Sequence, residues 1–260
     1  FLIRSVRREV EQREKLEVLA KELGAANEKL KELDKLKSEF LSFASHQIKS
    51  PMAVVKGFAS LIYDGSYGAI PDKVKETAGR ITEAIDRLLA LVNNFLDLRR
   101  IESGKMEYNF EIADVVGLVK KIVDDFKILA KDKNLALTFD APPTEIKTKI
   151  DVQRLSQVIQ NLIDNAIKYT EKGWVRIKIK NQAMVLIEVA DSGRGMKKDL
   201  IPQLFEQFSR DEAAAKLKQG TGLGLFIAKQ IVLGHKGEIW AESDGEEKGS
   251  RFFVRLPITA

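Results

Sequence analysis

The chain has 260 residues, of which 44% are hydrophobic, with 43 basic and 38 acidic residues and a net charge of +5. This composition supports a packed core, excludes a disordered chain, and allows two domains or one domain with an extended helical element. The near-balanced charges are typical of solvated helix faces and argue against a nucleic-acid-binding patch. Because the chain has no cysteine, disulfides and thiolate chemistry are excluded, which fits a reducing compartment.

The first residues raise the question of membrane attachment. No stretch of the chain reaches the roughly 20 apolar residues of a membrane span. The segment FLIRSVRR places an apolar stub before three arginines, and basic residues gather on the cytoplasmic side of transmembrane helices. Two interpretations stay open: the cytoplasmic edge of a missing transmembrane helix, or an arbitrary start inside a helix.

A long helix is predicted from Glu9 to Phe40, where the only glycine is Gly24 and proline is absent. Its apolar residues alternate at spacings of three and four, with one break at Lys37. This pattern predicts a coiled-coil seam and a parallel dimer, and the alternative is a surface helix that packs on its own domain. The residues of the seam are Leu16, Leu19, Leu23, Ala26, Leu30, Leu33 and Phe40.

The helical pattern continues through SHQIKSP, residues 45–51. Pro51 lacks the N–H that would pair with the Gln47 carbonyl, so we expect the helix to be interrupted and bent there and to resume as far as Tyr63. DGSYGAIP (64–71) is a predicted loop, with Pro71 in the first turn of a second helix. The residues of that helix's apolar seam are Val74, Ala78, Ile81, Ile85, Leu88, Val92 and Phe95.

Two amphipathic helices joined by a short loop form an antiparallel hairpin, and two such hairpins make a four-helix bundle. ESGK, residues 102–105, is predicted to end the second helix and to mark a domain boundary.

After Lys105 the pattern changes to mixed helix and strand, which favours an α+β sandwich with helices on one face of the sheet. The predicted helices are Val115–Lys131, Val152–Tyr169, a segment containing Phe205 and Phe208, and Leu223–Leu233. The predicted strands are LALTFDA (135–141), a strand centred on Val175–Ile179 that pairs with MVLIEVAD (184–191) as a hairpin, and RFFVRLPI (251–258), which closes the sheet.

Three short motifs in this second region carry candidate chemistry. NLIDNAIKY (161–169) places two asparagines and a lysine on one side of a helix, which suits Mg²⁺ and phosphate, although an exposed helix face gives the same pattern. DSGRG (191–195) follows a buried strand and can present a carboxylate to an exocyclic amine, although Asp-Ser-Gly is also an ordinary turn. GTGLGL (220–225) opens a helix, where backbone N–H groups bind phosphate.

These motifs, together with FEQFSR (205–210), resemble the N, G1, F and G2 boxes of the sensor histidine kinase ATP-binding domain. SHQIKSP resembles the phospho-acceptor box of the same family. The resemblance covers Leu36 to Pro257. It implies a dimerisation and histidine phosphotransfer domain (37–105) and a Bergerat-type (GHKL) α+β ATP-binding domain (106–260). The predicted coiled coil before them is interpreted as a signalling helix (1–36).

The resemblance implies ATP and Mg²⁺ as cofactors. Asn165 would hold Mg²⁺, Asp191 would bind the adenine amino group, and Arg210 would contact the γ-phosphate. The other implied nucleotide residues are Asn161 and Lys168 near the phosphates, Tyr169 beside the nucleotide, Gly193 and Gly195 around the adenine pocket, Gly220, Thr221, Gly222, Leu223 and Gly224 around the phosphates, and Ser250 beside the adenine.

The implied catalytic residues are His46, Gln47 and Ser50. A neutral imidazole nitrogen is a good nucleophile towards phosphorus, and phosphohistidine passes its phosphate onward readily. The family generally has Glu, Arg and Thr where this chain has Gln47, Lys49 and Ser50. Gln47 lacks the carboxylate that would accept the imidazole proton. The second histidine, His235, is predicted to be structural, at a helix-to-strand turn.

The predicted function is ATP-dependent autophosphorylation of His46 and transfer of the phosphate to an aspartate of a response regulator, with dephosphorylation of that aspartate as a further activity. One alternative is a nucleotide-binding pseudokinase or scaffold, supported by Gln47 alone. Another is a GHKL-type ATPase, which needs a carboxylate base where this chain has Asn165. The expected partners are a second copy and a receiver domain, with no nucleic acid. The expected location is the cytoplasmic portion of a membrane sensor.

Overall fold

The structure is a computed structural model that describes residues 2–209 and 222–258. The chain divides into two compact units, residues 1–99 and 100–260, and each unit is described by itself. In the described part of the chain, no helix combines the length and the apolar character that a membrane span requires.

The first unit contains the long helix α1 (Leu2–Tyr63) and all but the last three residues of a second helix, α2 (Asp72–Glu102). Helix α1 is assigned without a break through Pro51, so the predicted interruption is wrong. A proline in a long helix removes one hydrogen bond while the turns on either side keep theirs. The predicted end at Tyr63 is confirmed. Pro71 precedes α2, and its carbonyl accepts the first helical hydrogen bond from Val74 N–H at 2.9 Å.

The apolar seam of α2 separates into two sets in the structure. Ala78 and Ile85 are buried, whereas other members are exposed in the single chain. The contacts between α1 and α2 include an ion pair of Lys56 Nζ with Asp86 Oδ1 at 2.6 Å. The exposed set repeats every seven residues: Val74, Ile81, Leu88 and Phe95.

Among the described residues, the side chains of the α1 seam are exposed. Its leucines and Phe40 are all more than half exposed, so the alternative of a helix packed on its own domain is not supported. The exposed residues of this seam are Leu16, Leu19, Leu23, Leu30, Leu33 and Phe40.

The second unit is an α+β sandwich, as predicted. In chain order its elements are β1 (Glu111–Asp114), α3 (Val115–Asp132), β2 (Leu135–Asp140), β3 (Lys147–Ile150), α4 (Val152–Tyr169), β4 (Gly173–Asn181), β5 (Met184–Asp191), a 3₁₀ helix (Lys198–Gln203), α5 (Gly224–Gly234), β6 (Glu238–Glu242) and β7 (Ser250–Pro257).

The main sheet has the strand order β2-β4-β5-β7-β6, and β1 pairs with β3 separately. Within the main sheet, β2 and β4 run parallel and the other neighbours run antiparallel. The β4–β5 hairpin is confirmed. The prediction that β7 closes the sheet is wrong, because the short β6 pairs along its outer side and takes the edge.

The core lies between one face of the sheet and helices α3, α4 and α5. On β4, Val175, Ile177 and Ile179 are buried while the alternate residues face outward, as a half-buried strand requires. Phe205 and Phe208 lie in turns after the 3₁₀ helix, so their predicted helix is wrong. Phe208 has a positive φ of 59°, which an α-helix does not accommodate.

Candidate functional site

Helix α4 positions the first group of candidate residues. Its apolar side is fully buried, and Asp151 caps its start by accepting a hydrogen bond from Arg154 N–H at 2.9 Å. Because one face is fixed in the core, the residues at helical spacing beside it share a single edge. Those residues are Asn161, Asn165, Lys168 and Tyr169, all half-buried.

Asn161 faces the start of α5. Its Nδ2 is buried and has no hydrogen-bond partner among residues 2–209 and 222–258. A Cβ on Gly224, the first residue of α5, would lie 2.5 Å from Asn161 Oδ1. Only glycine allows this approach. The structure therefore brings the asparagine motif together with the described part of the glycine-rich motif.

The rest of the glycine-rich motif is described in part. Gly222 has a positive φ of 72°, and the buried Leu223 precedes α5, with its carbonyl accepting from Ile227 N–H at 2.9 Å. Three predicted nucleotide residues lie outside the described residues: Arg210, Gly220 and Thr221.

Asp191 is buried at the end of β5, with 6% of its surface exposed. Burial raises the pKa of its carboxyl to about 6, and hydrogen bonds from the backbone of Gly193 and Ser250 oppose that rise. Gly193 N–H donates to Asp191 Oδ1 at 2.9 Å. Asp191 and Ser250 are direct partners in the β5–β7 register, so two distant sequence motifs meet at this carboxylate.

Tyr169 lies close to the DSGRG loop. Arg194 N–H donates to the Tyr169 carbonyl at 3.3 Å, and the Arg194 guanidinium lies 4.7 Å from the centre of the Tyr169 ring. Gly195 forms an isolated bridge with Glu246. The end of α4, the DSGRG loop and the loop before β7 therefore form one cluster.

His46, Gln47 and Ser50 lie on α1 in the first unit, and all three are exposed. Their neighbour Ser45 is buried. Since a solvent-facing imidazole has a ring nitrogen accessible to a second reactant, His46 meets the steric requirement for a nucleophile.

His235 has a different environment. It is buried after α5, its Nδ1 lies 2.8 Å from the Ile231 carbonyl oxygen, and its Nε2 accepts from Asp151 N–H at 2.9 Å. Both ring nitrogens are thus engaged with backbone groups, and the prediction that His235 is structural is confirmed.

Two family models match the chain. The model described as the His Kinase A (phospho-acceptor) domain matches residues 36–104. The model described as the Histidine kinase-, DNA gyrase B-, and HSP90-like ATPase matches residues 150–260. The chain is also 34% identical over 229 residues to the sensor protein SrrB of Staphylococcus aureus (strain MRSA252), which covers 86% of this chain.

The chain belongs to the sensor histidine kinases. It spans 39% of the length of SrrB. Among solved structures, full-length ShkA in complex with AMPPNP is similar, with a TM-score of 0.68 and 25% identity, covering 85% of this chain and 46% of ShkA. The nucleotide-free catalytic domain of ThkA has a TM-score of 0.52 and 27% identity, covering 58% of this chain and 99% of that domain.

Two residues of this candidate site were missed by the sequence analysis. Gly249 has a φ of +70°, its N–H donates to the Gly193 carbonyl at 3.0 Å, and a Cβ there would lie 2.1 Å from the Asp191 carbonyl oxygen. Thr170 is fully buried, and its Oγ1 donates to the Ala166 carbonyl at 2.7 Å. The glycine of Lys-Gly-Ser was an available signal for Gly249, whereas nothing in the sequence distinguishes Thr170.

Proposed function

We propose that this histidine kinase binds ATP with Mg²⁺ in the second unit, phosphorylates its own His46, and passes the phosphate to an aspartate of a response regulator receiver domain. The observation that carries the proposal is the buried Asp191 carboxylate in a glycine-lined cluster, in a chain that also presents an exposed histidine in a phospho-acceptor motif. The AMPPNP complex of ShkA supports the nucleotide assignment by similarity.

The adenine assignment follows from the environment of Asp191. Burial makes the ionised carboxylate costly unless it receives hydrogen bonds. The Gly193 N–H supplies one at 2.9 Å, and the exocyclic amine of adenine would supply another. The glycine backbone at Gly249 leaves no side chain next to the Asp191 backbone, which suits a flat ring held nearby.

The phosphate assignment rests on Asn161 and the start of α5. A buried amide without a partner costs free energy, so a ligand oxygen accepting from Asn161 Nδ2 would recover it. The N-terminus of a helix favours anions because its first N–H groups are unpaired. Lys168, on the same edge of α4, adds positive charge.

The chain's residues also fit Mg²⁺. In the described part of the chain no group of three His, Asp or Glu side chains forms a metal cluster. Mg²⁺ in nucleotide sites takes one or two protein oxygens together with phosphates and water, and Asn165 Oδ1 is the proposed protein ligand. When bound, Mg²⁺ neutralises charge that develops on the phosphates.

The transfer step uses His46. An imidazole nitrogen attacks the γ-phosphorus, a P–N bond forms, the bond from that phosphorus to the bridging oxygen breaks, and ADP leaves. The Gln47 carboxamide can accept a hydrogen bond from the other ring nitrogen and so select the reactive tautomer. It cannot take a proton, so the imidazole proton goes to solvent at this exposed face of α1. We also propose that Gln47 and Ser50 orient water for dephosphorylation of the partner aspartate.

The proposed boundaries between the three segments of the chain lie at residues 36 and 105. A homodimer is also part of the proposal. The exposed heptad on α2 and the exposed seam of α1 are apolar surfaces that a second copy would bury in a coiled coil and four-helix bundle. The cytoplasmic portion of a membrane sensor is the proposed location, by similarity to the sensor protein SrrB, of whose length the chain spans 39%.

The test is incubation with γ-labelled ATP and Mg²⁺. We expect acid-labile, base-stable label on the wild type and none on His46→Ala. Nucleotide binding without phosphohistidine would favour a pseudokinase scaffold, and ATP hydrolysis without phosphohistidine would favour a GHKL-type ATPase. The His46→Ala variant should bind nucleotide like the wild type, because His46 lies outside the proposed ATP site.

A further inference from the structure

The C-terminal end of α4 is secured by a residue that lies outside all of the nucleotide-binding motifs. The last four carbonyls of a helix lack partners within the helix. In α4 the Ala166 carbonyl accepts from Thr170 Oγ1, and the Tyr169 carbonyl accepts from Arg194 N–H. The two between them, of Ile167 and Lys168, accept from Lys133 Nζ at 3.0 and 3.4 Å.

Lys133 is itself held in place by the fold. It is the residue after α3, and its N–H donates to the Leu129 carbonyl at 3.3 Å. The next residue, Asn134, has a φ of 56° and turns the chain into β2, whose first residue Leu135 is buried. The backbone of Lys133 is therefore fixed between the end of α3 and the start of β2.

The charge of Lys133 suits its position. A cation at a helix C-terminus interacts favourably with the helix dipole, and α4 ends in an extended Thr170 rather than a glycine cap. Lys133 also acts electrostatically on the Asp164 carboxyl, one turn earlier on α4.

We propose that Lys133 is a positioning residue for the nucleotide, which acts by fixing the last turn of α4. That turn carries Lys168 and Tyr169, and the Lys168 ammonium lies 5.1 Å from the centre of the Tyr169 ring. Without the Lys133 hydrogen bonds, two adjacent carbonyls of this turn lose their side-chain donor. The backbone that positions the Lys168 and Tyr169 side chains is then no longer fixed. The inference rests on the proposed ATP site.

The experiment compares K133M with K133R and with the matched control K131M in the full 260-residue chain. Lys131 lies in the same last turn of α3 but donates to neither α4 carbonyl. Affinity for AMPPNP with Mg²⁺ is measured by calorimetry. We expect K133M to weaken binding about two- to fivefold, the range of a charge at a helix terminus, K133R to restore it, and K131M to leave it unchanged.

Two further readouts separate positioning from general destabilisation. In K133M the KM for ATP should rise while the single-turnover rate at saturating ATP stays the same. Hydrogen exchange in the unliganded protein should become faster at residues 168–170 and not across the sheet. Equal AMPPNP affinity in K133M and K131M overturns the inference alone, whereas a wild type that binds no nucleotide overturns the proposed function as well.

Discussion

Asp191 and Ser250 are direct cross-strand partners at the ends of β5 and β7, 59 positions apart in the chain. The Asp191 carboxyl is buried at this end of the sheet, and among the described residues it receives backbone hydrogen bonds from Gly193 and Ser250. The raised pKa is a consequence of that arrangement, because a buried charge is disfavoured unless its hydrogen bonds replace those of water.

The first prediction concerns the stability cost of Asp191. Its pKa rises from 3.8 to about 6 on folding, so the ionised form destabilises the folded state above pH 6. Asp191→Asn should therefore raise the free energy of unfolding at pH 8 by up to about 3 kcal/mol. Affinity for ATP should fall by about tenfold or more, because the charged acceptor is lost. Denaturant unfolding and calorimetric titration measure the two effects.

The pH dependence of the same variant follows from the sign of the shift. Below 3.8 the carboxyl is protonated in both states and costs nothing. Between 3.8 and about 6 the cost grows, and above about 6 it is complete. The stability advantage of Asp191→Asn should shrink as pH falls from 6 to 4. An advantage of the same size at pH 4, or equal ATP affinity at pH 8, would contradict the assignment.

A second prediction tests the close approach of α5 to Asn161. Gly224→Ala places a methyl group 2.5 Å from Asn161 Oδ1 and should displace that side chain, reducing nucleotide affinity by about tenfold. Gly57→Ala is the control, since nothing lies within 4 Å of its new methyl group. If the loss of affinity is caused by displacement of Asn161, adding Gly224→Ala to Asn161→Ala should reduce nucleotide affinity little further. Additive losses would place the cause elsewhere.

The third prediction concerns the exposed heptad of α2. Leu88 is 41% exposed in the single chain, and burying a leucine side chain is worth about 2 kcal/mol. Leu88→Glu should produce a monomer at micromolar concentration. Arg87→Glu, at a neighbouring residue that is not part of the apolar heptad, should leave the protein dimeric. Light scattering with retained helical circular dichroism decides between them. A monomeric wild type would refute the dimer proposal.

The fourth prediction concerns Gln47. A positioned general base typically contributes about 10²–10⁴-fold to a rate. At the exposed face of α1, solvent accepts the imidazole proton and so replaces part of that rate contribution. Gln47→Glu should therefore accelerate single-turnover autophosphorylation by about 10²–10³-fold, measured across pH. If Gln47→Glu gives no gain at any pH, the side chain next to His46 is not the base. His46→Ala in the Gln47→Glu background is the control for background label.

Much of the fold could be predicted because periodicity is a local property. The bounds of α4 are Val152–Tyr169, as the apolar spacing predicted, and the β4–β5 hairpin has the expected alternation. The predictions failed where interactions with the rest of the fold outweighed a local sequence signal. Pro51 was expected to interrupt α1, and Phe205 with Phe208 was expected to form a helix. Strand β6 is short and charged at both ends, so it carries little local signal.

By itself, the sequence determined the order of the motifs, the helical spacing of Asn161, Asn165 and Lys168, and an exposed helix bearing His46. Those features depend on residue type and spacing along one element. Tertiary structure decided the rest: the raised pKa of Asp191, and the bonds from Lys133 to the end of α4. Burial and hydrogen bonding between residues far apart in the chain depend on how sheet and helices pack, and no local pattern encodes that packing.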